Sequence, residues 1–371
     1  MKKEHLHVIE ENTAQVKIVQ QSIPTKNISF YNPVMKKNRD LSVVLLNSLG
    51  KKNMSMMDLM AASGVRTVRF LKELSPSIIR RIVANDLSPG FAERMRETLR
   101  QNGFENDDRI VVQERDANLA LLESNGFDYI DIDPYGSPNP FLDNAIVRLA
   151  RKGILAVTAT DTAALCGARL NTGRRKYWAE PLNNELRHEL GLRMLIRKIQ
   201  LLGAHHEKAL TPVFSYFSDH YFRVFLQCEK GNTKVDTVLK QHQHFLYCSS
   251  CLSMKTSKSN NETCRCGKAY IIAGPLWTGF LSNENLVKNM LANTEYAALK
   301  KFLASMEGDC TDIVGFYETH VLAEKKLIPK LPRMDVLFNS DILRTHFSNS
   351  AVKTKKSPAE FVRHIHDTHT L

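Results

Sequence analysis

From Lys51 to about Gln227, short apolar runs alternate with amphipathic stretches. The runs Met54–Met60, Ile78–Ala84, Ile110–Gln113, Tyr129–Asp133 and Gly153–Thr158 have the length and continuity of buried strands. Stretches with apolar residues at helical spacing separate them, predicting helices over about Val65–Leu74 and Pro89–Gln101. Pro134 closes the fourth strand, because its nitrogen cannot donate to a ladder. Strands separated by helices imply an α/β fold whose sheet is mostly parallel and covered on both faces.

Beyond the fifth strand the pattern changes. Pro181–Leu202 reads as one long helix with Leu186, Leu190, Met194 and Leu201 on a buried face. Phe214–Phe217 and Tyr221–Leu226 then form an expected antiparallel pair around Ser218-Asp-His220, which makes the sheet mixed. Gly231-Asn-Thr-Lys is a plausible linker. Residues 1–230 are therefore read as an N-terminal extension with the α/β domain, and 231–371 as a smaller α+β domain with a helix over about Glu284–Met306.

Composition narrows the partners. A chain of 371 residues with 43% hydrophobic content can bury two cores. Its formal charge of +12 favours an anionic partner such as nucleic acid, although many basic proteins bind none. No run approaches the ~20 apolar residues that cross a bilayer. The stretch Met1–Glu11 is charged from its second residue and lacks the apolar core of a signal peptide. A cytoplasmic protein with no membrane association and no obligate protein partner is expected. Seven scattered cysteines do not form a secreted disulfide framework.

Candidate chemistry gathers at the ends of the expected strands. The turn Asp58-Leu-Met-Ala-Ala-Ser-Gly-Val-Arg66 places small residues where a strand runs into a helix, so that a ligand can approach the backbone. It carries one glycine, too few for a dinucleotide pyrophosphate. Asp86 follows the second strand and Asp116 the third. Carboxylates there can accept hydrogen bonds from a ribose diol and an adenine amine, although each alone is as well explained as a helix cap. Small turn, acid, acid and then Asp-Pro-Tyr is the order in which class I, Rossmann-like methyltransferases bind S-adenosyl-L-methionine.

The fourth strand ends Asp131-Ile-Asp133-Pro134-Tyr135-Gly136-Ser137-Pro138. An amine attached to a nucleobase is a poor nucleophile because its lone pair is delocalised into the ring. Hydrogen bonds to Asp133 and to a loop carbonyl would draw it toward tetrahedral geometry and aim the lone pair at a methyl group. Tyr135 could stack on the extruded base.

These residues resemble a specific family, the tRNA guanine-26 dimethyltransferases. The stretches that carry the likeness are Phe30–Asp40, Ala61–Arg66, Ala84–Asp86, Asp131–Pro138, Thr158–Asp161, Leu165–Gly167, Asp219–Arg223 and Gly274–Trp277. The resemblance implies that Arg39, Arg66, Asp86, Asp116 and Ala117 contact the methyl donor and that Asp133 and Pro134 engage the target amine. It also implies tRNA as partner. The chain departs from the family at Tyr135, where many relatives have phenylalanine, and at Glu11-Asn12, where Glu-Gly is usual. The residues alone leave open an adenine or cytosine amino-methyltransferase, or an RNA-binding protein that keeps the fold without the reaction.

Cys248-Ser-Ser-Cys251 and Cys264-Arg-Cys266 supply four thiols for a tetrahedral zinc knuckle, with His242 and His244 as lesser candidates. Four protein ligands leave no open position, so this metal is structural. Cys166 is read as a packing residue. Two basic sets are candidate tRNA contacts: Arg169, Arg174, Arg175 and Lys176 with Tyr177, and a carboxyl-terminal group of Lys325, Lys326, Lys330, Arg333, Lys353, Lys355 and Lys356.

Overall fold

The computed structural model describes residues 6–19 and 31–369; Phe30, the head of one family-like stretch, lies outside them. The chain forms two compact units, each drawing on separated stretches of sequence. The first takes the described residues up to Thr158, with Leu226–Glu229 and Ala292–Thr294; the second takes Ala159–Phe225, Lys230–Leu291 and the residues from Glu295.

The first unit opens with an antiparallel hairpin, β1 (Leu6–Glu11) and β2 (Ala14–Val19), and a helix α1 (Lys36–Ser48). An alternating series follows: β3 (Met54–Asp58), α2 (Val65–Glu73), β4 (Ile79–Asn85), α3 (Phe91–Gln101), β5 (Ile110–Gln113), α4 (Ala117–Leu122), β6 (Phe127–Ile132), α5 (Asn139–Arg148) and β7 (Leu149–Ala159). Strands β3 to β7 pair in parallel. Two further strands, β8 (Lys208–Ser218) from the second unit and β9 (Tyr221–Lys230), of which Leu226–Glu229 belong to the first, complete a seven-stranded sheet of order β5-β4-β3-β6-β7-β9-β8. The order reverses between β3 and β6, so the crevice outside the carboxyl ends of those two strands is the place where such sheets bind ligands.

The core explains the order. Every residue of β3 is buried, as are Tyr129, Ile130 and Ile132 of β6. Val65 and Val68 of α2 and Phe91, Met95 and Leu99 of α3 pack with Val16 of β2 into one cluster. Each such large side chain contributes roughly 1.5–3 kcal/mol on burial. Gly64, with φ 76°, starts α2 in a backbone conformation that favours glycine, and a Cβ there would also press on Met95 Sδ.

The second unit contains α6 (Thr162–Leu165), α7 (Leu170–Tyr177), α8 (Arg187–His205) and α9 (Asn232–Leu239). It also holds a three-stranded antiparallel sheet of β10 (His242–Tyr247), β11 (Met254–Ser257) and β12 (Ile271–Trp277), in the order β11-β10-β12. The long helix expected from Pro181 begins at Arg187, because the Asn184 side chain accepts from Leu186 N at 3.0 Å and turns the chain first. The single helix expected over Glu284–Met306 is two, α10 (Glu284–Asn293) and α11 (Ala297–Ala304). The break falls where Ala292–Thr294 belong to the first unit, with Asn293 Nδ2 donating to Ser48 Oγ at 3.2 Å.

Inside the second unit lies a charged cluster with fully enclosed side chains. Glu189 Oε1 accepts from Arg193 Nε at 2.9 Å, Lys353 Nζ at 2.6 Å and Gly315 N at 3.0 Å. Asp309 accepts from Thr345 Oγ1 at 2.9 Å and pairs with His346 Nδ1 at 2.7 Å. Burial pushes both carboxyls up, but the facing cations bring them below the ordinary value. Lys353, taken from the sequence as a candidate tRNA contact, is thus an interior residue. Of the same set, Arg333 pairs with Asp335 at 2.6 Å and Lys355 with Asp312 at 2.9 Å.

Candidate functional site

The site is built at the sheet's switch point. Asp58, the last residue of β3, is fully buried and accepts from Thr67 Oγ1 at 2.7 Å. Burial pushes its carboxyl up to about 7, with Asp131 adding to the rise and Arg66 opposing it. Arg66, in the first turn of α2, is the hub of the site. Its Nη1 donates to Asn38 Oδ1 at 3.1 Å and Ser42 Oγ at 3.3 Å, and lies 3.3 Å from Asp131 Oδ2. Its Nη2 donates to Asp133 Oδ2. Asp131 also accepts from Tyr129 Oη at 2.5 Å and is shut away from solvent, whereas the Asp133 side chain is 19% exposed at the mouth. One guanidinium therefore fixes the orientation of the only one of these two carboxylates that can reach a ligand.

The next two strand ends supply acceptors. Asp86 Oδ2 accepts from Ala62 N and Oδ1 from Ser88 N, each at 2.9 Å, tying the turn after β3 to the end of β4. The neighbouring Asn85 donates to Leu59 O and Arg115 O at 3.1 Å, while its buried Oδ1 has no hydrogen-bond partner among the described residues. Asp116 caps α4 through Oδ1, which accepts from Asn118 N at 2.9 Å and Leu119 N at 3.2 Å. Its Oδ2, and the N–H of Ala117 at the first position of the helix, have no protein partner among the described residues. An acceptor beside a donor matches the amine and ring nitrogen along one edge of adenine.

Pro134 is buried and Tyr135 is 73% exposed. Partial burial and the charges of Asp86 and Asp133 push the phenol above its ordinary value, so it stays protonated. Arg39 is placed differently from the simplest expectation. It is buried, and its Nε and Nη2 bind the two carboxylate oxygens of Glu11, the former at 2.7 Å, with Nη2 also donating to Asn32 O at 3.1 Å. Only Nη1 remains without a protein partner among the described residues. Sequence reasoning missed Asn38, Ser42, Glu11 and Asn85. Asn38 lies in the polar run Lys37-Asn-Arg-Asp40, of which Asn38, Arg39 and Asp40 are buried despite their polarity, and Ser42 follows one turn later on the same helix.

The Glu11 carboxyl would rise on burial, but hydrogen bonds and charge from Arg39, with Tyr31 and Arg69, hold it at about 2 instead of 4.5. A depressed folded value means stability that is present above the unfolded value and lost as pH falls from about 4.5 through 2. Urea unfolding midpoints measured from pH 6 to pH 3 are expected to fall less steeply in Glu11→Gln than in wild type. Equal slopes would remove Glu11 as a source of acid sensitivity.

The family model for N2,N2-dimethylguanosine tRNA methyltransferases matches residues 7–366. The chain belongs to this family. Among the dimethyltransferase relatives, the tRNA (guanine(26)-N(2)/guanine(27)-N(2))-dimethyltransferase of Aquifex aeolicus is 35% identical over 98% of this chain and 96% of its own. The tRNA (guanine(26)-N(2))-dimethyltransferase of Pyrococcus furiosus is 34% identical over 96% and 97%. A solved structure of Trm1 from Pyrococcus horikoshii with S-adenosyl-L-methionine superposes with a TM-score of 0.84 at 32% identity, covering 97% of this chain and all of that one.

This dimethyltransferase-family chain also brings its four clustered thiols together. The sulfurs of Cys248, Cys251, Cys264 and Cys266 lie within 4.8 Å of one another. Cys248–Cys266 and Cys251–Cys264 are each 3.5 Å apart, too long for disulfides and close to the edges of a ZnS4 tetrahedron. Two turns shape the cage, one with Leu252 N donating to Cys248 O at 2.8 Å and one with Gly267 N donating to Cys264 O at 2.8 Å. His242 Nε2 bonds Gln200 Oε1 at 2.8 Å, and neither His242 nor His244 joins the thiols. Cys166 is a packing residue, as expected, its thiol pushed up to about 12 by burial. Tyr177, expected to be the aromatic of the first basic set, is 1% exposed and donates to Asp161 Oδ1 at 2.6 Å. No helix among the described residues is long and apolar enough to cross a membrane.

Proposed function

We propose that this chain is a tRNA (guanine(26)-N(2))-dimethyltransferase that moves methyl groups from S-adenosyl-L-methionine to the exocyclic 2-amino group of guanine. The observation that carries the reading is Asp133, clamped by Arg66 at the mouth of the switch-point crevice beside acceptors arranged for a nucleoside. The donor set fits: Asp86 for the ribose hydroxyls, Asp116 Oδ2 with Ala117 N–H for the adenine edge, and the remaining Nη1 of Arg39 for a carboxylate. When bound, the sulfonium donor supplies an electrophilic methyl group. The chain's own residues prepare the acceptor. Asp133 and the Pro134 carbonyl accept hydrogen bonds from the two N–H groups of the free amine, and one of them accepts from the single N–H that remains for the second transfer. These bonds localise the lone pair on nitrogen along the line of transfer, while the proton displaced by each methyl passes to Asp133 or to water. Arg66 prevents Asp133 from turning away, and Tyr135 offers its ring to the guanine face.

In this reading residues 1–230 carry the transfer and 231–371 engage tRNA, in the cytoplasm and without an obligate protein partner. Incubating the full chain with labelled donor and unmodified tRNA transcripts, carrying guanine at position 26 alone or at 26 and 27, tests it by nucleoside analysis. Labelled dimethylguanosine is expected; label on adenine or cytosine, or tight tRNA binding without transfer, would overturn the assignment.

The thiol cage is proposed to hold a structural zinc through Cys248, Cys251, Cys264 and Cys266, a closed ligand set that fixes the turns around β10 to β12. Metal analysis is expected to give about one zinc per chain. Stripping it should lower the thermal midpoint, and restoring zinc should recover it. A midpoint unaffected by chelation that removes the metal would rule out a structural role.

A further inference from the structure

The surface aromatic of the first basic set is the next residue along. Trp178 ends α7 in the left-handed region, at φ 53° and ψ 38°, a conformation that non-glycine residues seldom adopt. It is held there from both sides of the peptide: Trp178 N donates to Arg174 O at 3.0 Å and Trp178 O accepts from Arg197 Nη1 at 3.1 Å. The consequence is a large indole that is 50% exposed, while Tyr177 before it and Ala179 after it are buried.

The ring is backed by a cation. Lys198 Nζ lies 2.8 Å from the indole centroid, and the Lys198 side chain is itself buried. Burial pushes this ammonium down to about 8, the cost of placing it beneath an aromatic face instead of in water. With one face of the indole occupied by Lys198, the open face is the one turned to solvent. Three residues before Trp178 on the same helix, Arg175 is exposed, and the one hydrogen bond of its side chain among the described residues is to Thr172 Oγ1 at 3.4 Å. An exposed flat ring and an exposed guanidinium with no ion-pair partner among the described residues together suit a flat base joined to phosphate oxygens.

The geometry points to Trp178 as a stacking platform for an unpaired nucleotide of the RNA substrate, with Arg175 receiving its phosphate and Arg197 holding the Trp178 backbone in place. This rests on tRNA being the substrate. It places a specific base-stacking contact in the second unit, on a residue with no part in the transfer chemistry. A duplex offers no free base face, so the platform selects RNA that is single-stranded or splayed at this point.

The chain contains two tryptophans, and Trp277 is 1% exposed with Nε1 donating to Phe280 O at 2.9 Å. Acrylamide therefore quenches Trp178 selectively in the free full-length protein. Saturating unmodified tRNA transcript is expected to shield that emission, and an RNA duplex of equal length is not. Trp178→Leu should bind the transcript about tenfold more weakly, the loss of one base stack, and Trp178→Phe should recover most of it. Transcript binding with undiminished acrylamide quenching, with unchanged affinity in Trp178→Leu, or with equal shielding by duplex would overturn the platform. Failure of wild-type protein to bind tRNA at all would instead overturn the functional reading on which it rests.

Discussion

Replacing Asp133 with alanine is expected to lower methyl transfer about 1,000-fold, the range associated with losing a positioned polar group at the reacting centre. The argument depends on what else Asp133 does. Among the described residues its one ion-pair partner is Arg66, and Arg66 keeps Asn38, Ser42 and Asp131 when Asp133 is removed. The crevice should therefore survive, and the affinity for the donor should change little. Asp133→Asn separates two roles of the carboxylate. Asparagine still accepts a hydrogen bond from the amine but removes no proton, so near-normal transfer would mean that Asp133 acts by orientation alone. Single-turnover rates with saturating donor and tRNA provide the measurement. Normal transfer by the alanine variant would dismiss Asp133 from the chemistry.

A second large effect is expected far from the crevice in sequence. Glu189→Ala should cost about 3–5 kcal/mol of unfolding free energy, because it removes the carboxylate shared by two buried cations, leaving Arg193 with backbone carbonyls alone and Lys353 with Asp309 at 3.7 Å. Glu189→Leu with Lys353→Met removes the carboxylate together with one of its cations and should recover a large part of that loss. Urea titration of the three proteins distinguishes the cases. A loss below about 1 kcal/mol in the single variant would mean that water reaches the cluster and screens it.

The parts of the fold that alternate cleanly were legible in the sequence. Strands β3 to β7 and the helices α2 and α3 follow their hydrophobic patterns: α3 buries one face only, and α2 keeps an amphipathic spacing of its apolar residues although Arg66, Thr67 and Arg69 are buried with them. Helix α1 was not legible, because it is enclosed on most sides and Asn38, Arg39, Asp40 and Ser42 are buried along with Leu41, Val43 and Val44. No polar face remains to mark its period. The candidate site shows the same limit. Asp86, Asp116 and Asp133 stand at strand ends, where position in the pattern suffices to suggest a role. Arg39 and Lys353 look like surface cations in sequence, and only the fold discloses Glu11 and Glu189 against them. Tyr177 and Trp178 are adjacent aromatics in a basic run, and the left-handed backbone at Trp178 decides which faces solvent.

The two compact units are interleaved along the chain, with Leu226–Glu229 and Ala292–Thr294 returning to the first. The boundary proposed at residue 230 divides roles and not folding units. During synthesis, the first unit lacks its last contributing segment until residue 294 has left the ribosome, by which point most of the second unit has also emerged. Neither unit is a contiguous fragment that a protease or a gene truncation could release whole. Loss of the carboxyl-terminal third is thus expected to abolish soluble expression of the crevice, and not to yield a smaller enzyme.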